Sequence, residues 1–182
     1  MAGILQVRLG GFGGQGVVLA GVLLGHAGAL EGKHVSVANS YGAAARGSAC
    51  KSEVIFSEGP IDFPHLLAAD IFVAMSQGAY TEYIKEVKAG SGLVLVDRTF
   101  VIPGEVSGIT QMGIAATDSA IGKLKEKQVA NIVLLGALLE TTRIVSPQAM
   151  RKAIRIHMVE PFRSLNLKAL ALGEKLGRQA HG

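Results

Sequence analysis

Residues 4–16 read Ile4-Leu-Gln-Val-Arg-Leu-Gly-Gly-Phe-Gly-Gly-Gln-Gly16, and an apolar run from Val17 to Leu30 follows at once. Ile4–Leu9 has the composition of a short strand. From Gln15 to about Glu31 the pattern is helical, and Gly32 is a stop signal. Between them, Gly11-Phe-Gly-Gly-Gln-Gly16 satisfies G-x-G-x-x-G in the context that motif needs, after a strand and opening a helix. Glycine is costly to order, so five glycines in the seven residues 10–16 require a reason. Two remain open at this point. Bare backbone at a helix N-terminus accepts an anionic group. Equally, it allows close packing of strand on helix or of a partner on the turn.

Working outward, His34–Ala38 alternates like a strand, which makes residues 4–38 a βαβ unit with an expected right-handed crossover. A nicotinamide enzyme would carry an acidic residue at the end of that second strand to hold the ribose hydroxyls. Val37-Ala-Asn-Ser40 stands there instead, and no Asp or Glu occurs between Glu31 and Glu53. The stretch Asn39-Ser-Tyr-Gly-Ala-Ala-Ala-Arg-Gly-Ser48 reads as a loop leaving the strand's C-terminal end, the edge where such sheets place ligands. Arg46 is the only arginine between Arg8 and Arg98, and its planar fork suits a carboxylate or phosphate.

Further along, the pattern predicts strands at 50–56, 70–75 and 93–96, and a short helix at 64–69. Longer helices are expected at 77–88, from 117–119 to about 127, at 129–142, from Ser146-Pro147 to about 158, and at 161–176. Residues 98–115 read as irregular. Strands alternating with helices, then helices alone, predict an α/β fold: a doubly wound, mostly parallel Rossmann-like sheet flanked by helices, with a helical C-terminal third. Residues 1–182 are expected to form a single domain.

Hydrophobic residues make up 49% of the chain and charged residues only 18%. A partner covering part of the surface would account for the deficit of charge, and so would dilution by 24 glycines and many alanines. The nearly all-round apolar stretches 17–30 and 129–139 favour the partner. The net charge is +4, without long basic runs or interleaved aromatics, which argues against nucleic-acid binding. Cys50 is the single cysteine, so neither an internal disulfide nor a four-cysteine cluster is available, and the five histidines lack metal-ligand spacing. The run 17–30 is broken by glycines and too short for a bilayer. A soluble cytoplasmic protein, without membrane or nucleic-acid partners, is expected.

The ordered set of motifs resembles the γ-type subunit of 2-oxoacid:ferredoxin oxidoreductases, the family of pyruvate, 2-oxoglutarate and ketoisovalerate oxidoreductases. Gly11–Gly16 matches its "GxGGQG" turn, and Ser40-Tyr-Gly-Ala-Ala-Ala-Arg-Gly-Ser48 is similar to "SYGxExRGG", with Ala44 for the usual Glu and Ser48 for the second Gly. Glu58–Pro64, Gln77–Tyr80, Leu95–Asp97 and Val129–Gly136 resemble further family segments. The resemblance implies a complex that oxidatively decarboxylates a 2-oxoacid, 2-oxoglutarate being the first expectation, transfers the acyl group to coenzyme A and reduces ferredoxin. Thiamine diphosphate, magnesium and iron–sulfur clusters are implied on other subunits, with none firmly bound by this chain. The chain is expected to pack against the thiamine-binding subunit, to contact coenzyme A, and to be inactive alone, where it could form a homodimer. Gly11, Gly13, Gly14, Gln15, Gly16, Ser40, Tyr41, Gly42, Arg46, Gly47 and Ser48 are the candidate cofactor-binding or partner-facing residues. No catalytic residue or metal ligand is assigned. A stand-alone Rossmann-type nucleotide-binding protein and a non-catalytic scaffold remain as alternatives.

Overall fold

The structure, a computed structural model, describes residues 3–41 and 49–180. Strand β1 (Leu5–Phe12) leads through the glycine turn into helix α1 (Val17–Leu30) and strand β2 (His34–Tyr41). Strands β3 (Ala49–Ser57) and β4 (Ile71–Ala74), helix α2 (Gln77–Tyr83), and strands β5 (Gly92–Asp97) and β6 (Ile109–Ile114) follow. Helices α3 (Ala116–Ser119), α4 (Ala130–Thr142), α5 (Pro147–His157) and α6 (Phe162–Ala180) complete the described chain.

The sheet has the order β2-β3-β1-β4-β5-β6. β1, β4, β5 and β6 pair in parallel, and β3 runs antiparallel to both β1 and β2. The α/β reading and the mostly parallel direction hold, with β3 as the reversed strand. The first βαβ unit is split: β3 occupies the place beside β1 that simple winding would give to β2.

Alternation along the strands builds two apolar layers. Val7, Leu9, Val54, Ile71, Val73 and Leu95 face α1 and α4, whereas Phe72, Ala74, Val94 and Val96 face α2. Residues 131–139 of α4 are all buried, and α1 buries eight of its fourteen residues. The apolar character of 17–30 and 129–139 is therefore satisfied largely within the chain. Gly173 of α6 lies so close to α4 that a Cβ there would strike the Val133 carbonyl. That contact covers the outer side of α4.

Four local expectations are corrected. β2 continues to Tyr41, because Asn39, Ser40 and Tyr41 pair with Ser52, Lys51 and Cys50 of β3. No helix forms at 64–69: Leu66 is buried, and the Leu67 amide donates to Gln6 Oε1, which pins this stretch to β1. Residues 109–114 form the second edge strand, whose half-polar sequence hides its period. The expected 117–127 helix breaks into α3, a wide helical turn at 120–124 and a tight one at 127–129, with Lys125 at φ 59°. Ser146 caps α5 through its hydroxyl with Pro147 at the first turn, as the sequence indicates.

Candidate functional site

β1, β4 and β5 end together at the carboxyl edge of the sheet. Between β1 and β4 the chain changes direction of winding, the place where open α/β sheets hold ligands. A cleft of ≈ 250 Å³ opens there. Its floor is Met75, Asp97 and Thr117, one wall is Phe12-Gly-Gly-Gln15, and the other is Phe100, Lys127, Gln128 and Asn131.

The glycine turn is held in a single shape by Gln15. Its Oε1 accepts from the Phe12 amide at 2.9 Å, and its Nε2 donates to the Met75 carbonyl at 2.7 Å. One side chain thus ties the end of β1 to the end of β4. Gly16 adopts φ 73°, the left-handed region, and has no room for a Cβ beside Asn131, which donates to the Gly16 carbonyl at 3.0 Å. This clamp joins the N-terminal ends of α1 and α4. Gly13 differs. A Cβ there would meet nothing within 4 Å, its φ is not positive, and its backbone is exposed on the cleft wall. The fold does not demand glycine at 13, so the space in front of it is available to something outside the chain.

Asp97 is buried at the end of β5 and accepts from Thr117 Oγ1 at 2.6 Å, from the Thr117 amide, and from the Thr99 amide at 3.2 Å. It anchors the cleft floor and has no open position for a general base. The exposed Lys127 lies with Nζ 5.1 Å from the Phe100 ring centroid, a cation on the rim of a cleft whose one carboxylate, Asp97, is buried in the floor and taken up by its Thr117 and Thr99 donors. These groups can bind and orient an anion. The cleft itself holds no nucleophile–base pair.

Of the residues proposed from the sequence, Gly13, Gly14 and Gln15 line the cleft; Gly11 and Gly16 shape it from behind. Ser40 and Tyr41 are exposed at the end of β2, separated from β1 by β3, and are not part of this cleft. Gly42, Arg46, Gly47 and Ser48 lie outside the described residues. Met75, Phe100, Thr117, Lys127, Gln128 and Asn131 were not among the sequence candidates. A visible signal existed for Asn131, the one amide in a helix otherwise apolar on most faces, and for Asp97 at the mouth of an apolar strand. Burial raises the Cys50 thiol above its ordinary value, which makes it a poor ligand or nucleophile. Among the described residues no group of three or more His, Cys, Asp or Glu could hold a metal ion, and no helix is long and apolar enough to cross a membrane.

With this geometry in place, comparison with known proteins is decisive. The family model described as pyruvate ferredoxin/flavodoxin oxidoreductase matches residues 6–176. The chain belongs to that family. The 2-oxoglutarate synthase subunit KorC of Methanocaldococcus jannaschii is 44% identical over 96% of this chain and 94% of its own length. The γ subunit of a keto/oxoacid ferredoxin oxidoreductase from Geobacter sulfurreducens superposes with a TM-score of 0.88 at 36% identity, covering 98% of this chain and 99% of that one. In the 2-oxoglutarate:ferredoxin oxidoreductase of Magnetococcus marinus the same fold forms 31% of a longer chain, at 22% identity and a TM-score of 0.87. The γ-type resemblance read from the motifs is therefore correct. Within the family, the cleft at the carboxyl edge is the feature of this chain that calls for a role.

Proposed function

We propose that this chain is the γ-type subunit of a 2-oxoglutarate:ferredoxin oxidoreductase. The observation that carries the substrate is the full-length likeness to 2-oxoglutarate synthase subunits, 44% for the M. jannaschii protein. In the reaction, the bond between the carboxyl and keto carbons of the 2-oxoacid breaks and carbon dioxide leaves. The acyl group passes to the sulfur of coenzyme A, and two electrons pass to the iron–sulfur acceptor. Thiamine diphosphate with magnesium supplies the carbanion chemistry when bound, and clusters carry the electrons. Neither group fits this chain: Cys50 is alone and buried, and Asp97 is committed to Thr117 and Thr99. Both therefore belong to other subunits, against which this chain packs.

The contribution assigned to this chain is the contact with coenzyme A. A cleft of ≈ 250 Å³ falls below the roughly 300–1,000 Å³ of sites that enclose a ligand of drug size. It suits one part of a long anionic cofactor whose remainder lies on a partner. The bare Gly13 backbone offers close approach, the start of α1 favours negative charge, and Lys127 adds a cation on the opposite wall.

Steady-state kinetics of the assembled complex test this contact. Lys127→Gln should raise the KM for coenzyme A by roughly tenfold, the loss expected when a hydrogen bond to a charged group is removed. Gly13→Ala should do likewise by narrowing the approach. Neither should change the melting temperature of the chain, since Lys127 is exposed and a Cβ at 13 meets no neighbour. An unchanged KM in both variants would remove the coenzyme contact and leave the subunit role standing.

A further inference from the structure

Away from the cleft, the fold brings together two histidines that lie 131 positions apart in the sequence. His26 is in the second half of α1, and His157 is the last residue of α5. His26 Nδ1 and His157 Nε2 face each other at 2.6 Å. The ring centroids are 4.8 Å apart and the ring planes stand at 85°. In the neutral pair one ring donates to the other.

Both backbones are fixed. α5 packs on α1 and buries Met150, Ala153 and Ile154. Before its first turn, the Ser146 amide donates to Glu31 Oε1 at 2.6 Å, and Lys33 Nζ donates to the Ile144 carbonyl. The start of α5 is thus tied to the end of α1, and the two imidazoles meet where α5 ends.

His26 is half-buried and His157 exposed. A hydrogen bond between two groups within reach of water adds little to stability, because water satisfies both when they part. As ligands the same nitrogens can do more, since they come from two rigid helices and converge on one point. Among the described residues no third His, Cys, Asp or Glu joins them. The donor set is therefore two imidazoles, with water for the remaining positions. Calcium and magnesium ask for oxygen ligands, whereas imidazole suits zinc, nickel and copper. A tetrahedral zinc ion at about 2.0–2.1 Å from each nitrogen holds the two roughly 3.3 Å apart. The gap of 2.6 Å then widens by about 0.7 Å, which the exposed His157 ring at a helix end has room to provide.

We propose that His26 and His157 form a two-imidazole site for a divalent transition-metal ion of the zinc, nickel and copper group, which clasps the end of α5 to α1. The site is separate from the glycine-turn cleft and does not depend on the function proposed above.

Thermal melts of the full chain, stripped with chelator and then titrated with zinc chloride, test the site. At a zinc concentration ten times the dissociation constant, the melting temperature should rise by roughly 3–6 °C. Magnesium chloride should give no rise. His26→Gln and His157→Gln should each abolish the zinc effect, while their metal-free melting temperatures stay within about 2 °C of wild type. His34→Gln is the control: His34 is exposed at the start of β2, and the variant should keep the full rise. A second measurement reads the ligands directly. One equivalent of cupric ion should give an electron paramagnetic resonance spectrum split by two nitrogens in the wild type and by one in either variant. A zinc effect that survives in both variants, or one that His34→Gln also removes, would overturn the site. So would a wild-type chain that zinc leaves unchanged, or a cupric spectrum identical in wild type and variants.

Discussion

Arg8→Leu should destabilise the isolated chain by roughly 3–5 kcal/mol, the cost of leaving a buried charge without its partner. At about 2–4 °C per kcal/mol for a chain of this size, the melting temperature should fall by roughly 6–20 °C. The reason lies in the middle of β1. Arg8 is only 1% exposed, on the α2 side of the sheet. Its Nη2 and Nε bind Glu53 Oε1 at 2.8 and 3.1 Å, and Lys51 Nζ reaches the same oxygen at 2.9 Å. Arg8 Nη1 forms an ion pair with Glu86 at 2.7 Å, at an angle too oblique for a hydrogen bond. The guanidinium also lies 4.9 Å from the centre of the Tyr83 ring. Burial pushes the Tyr83 hydroxyl up to about 12, helped by its hydrogen bond with Glu82.

The network links the reversed strand β3 to β1 and to the residues after α2, so it holds together the part of the sheet that simple winding would not produce. It also sets a pH dependence. Burial alone would raise the Glu53 carboxyl, but hydrogen bonds from Lys51 and Arg8 and their charges outweigh it and hold the group below its ordinary 4.5. A carboxyl lowered in the folded state contributes stability above its unfolded value, and that contribution is lost as pH falls through the lower folded value. Wild-type stability should therefore drop as pH descends below about 4.5. Glu53→Gln should be less stable at neutral pH and show a shallower acid limb. Parallel acid limbs in chemical denaturation of the two proteins would contradict this.

The second large effect concerns turnover. Gln15→Leu keeps the volume of the side chain and removes both hydrogen bonds that tie Phe12 to Met75. Stability should fall by about 1–3 kcal/mol, since an amide and a carbonyl lose their partners. Turnover of the assembled complex should fall more, by roughly 10²-fold, because the glycine wall would no longer be held in register with the cleft floor. Gln15→Glu separates the two bonds. It retains the acceptor for the Phe12 amide, cannot donate to the Met75 carbonyl, and brings negative charge to the cleft, so the KM for coenzyme A should rise above that of Gln15→Leu. Wild-type turnover in Gln15→Leu, with the stability loss present, would reduce Gln15 to a packing role.

Local signals carried much of the fold. The glycine turn, the Ser146-Pro147 cap and the apolar run 93–96 each correspond to an observed feature, because each depends on dihedral preference or periodicity within a few residues. Pairing order does not. Residues 34–41 and 49–57 both read as strands, but no property of either says that β3 runs backwards beside β1. That choice is made by contacts such as Arg8 with Glu53, 45 positions apart. The all-round apolar helices misled for a related reason. Hydrophobicity cannot distinguish burial under the chain's own α6 from burial under a partner, and Gly173, which lets α6 approach α4, is one glycine among 24.

The candidate site divides the same way. Gly13, Gly14 and Gln15 were legible because the motif is contiguous. Asp97, Thr117, Lys127 and Asn131 come from three later segments that only the closed sheet edge brings together. Ser40 and Tyr41 follow a strand end in the sequence, but insertion of β3 carries them away from the glycine turn.

The most direct test of the subunit role is 2-oxoglutarate- and coenzyme A-dependent reduction of a viologen acceptor by the complex reconstituted with and without this chain. Omitting the chain should reduce the rate to background, and adding it back should restore turnover. Full coenzyme A-dependent turnover by the remaining subunits alone would contradict that role.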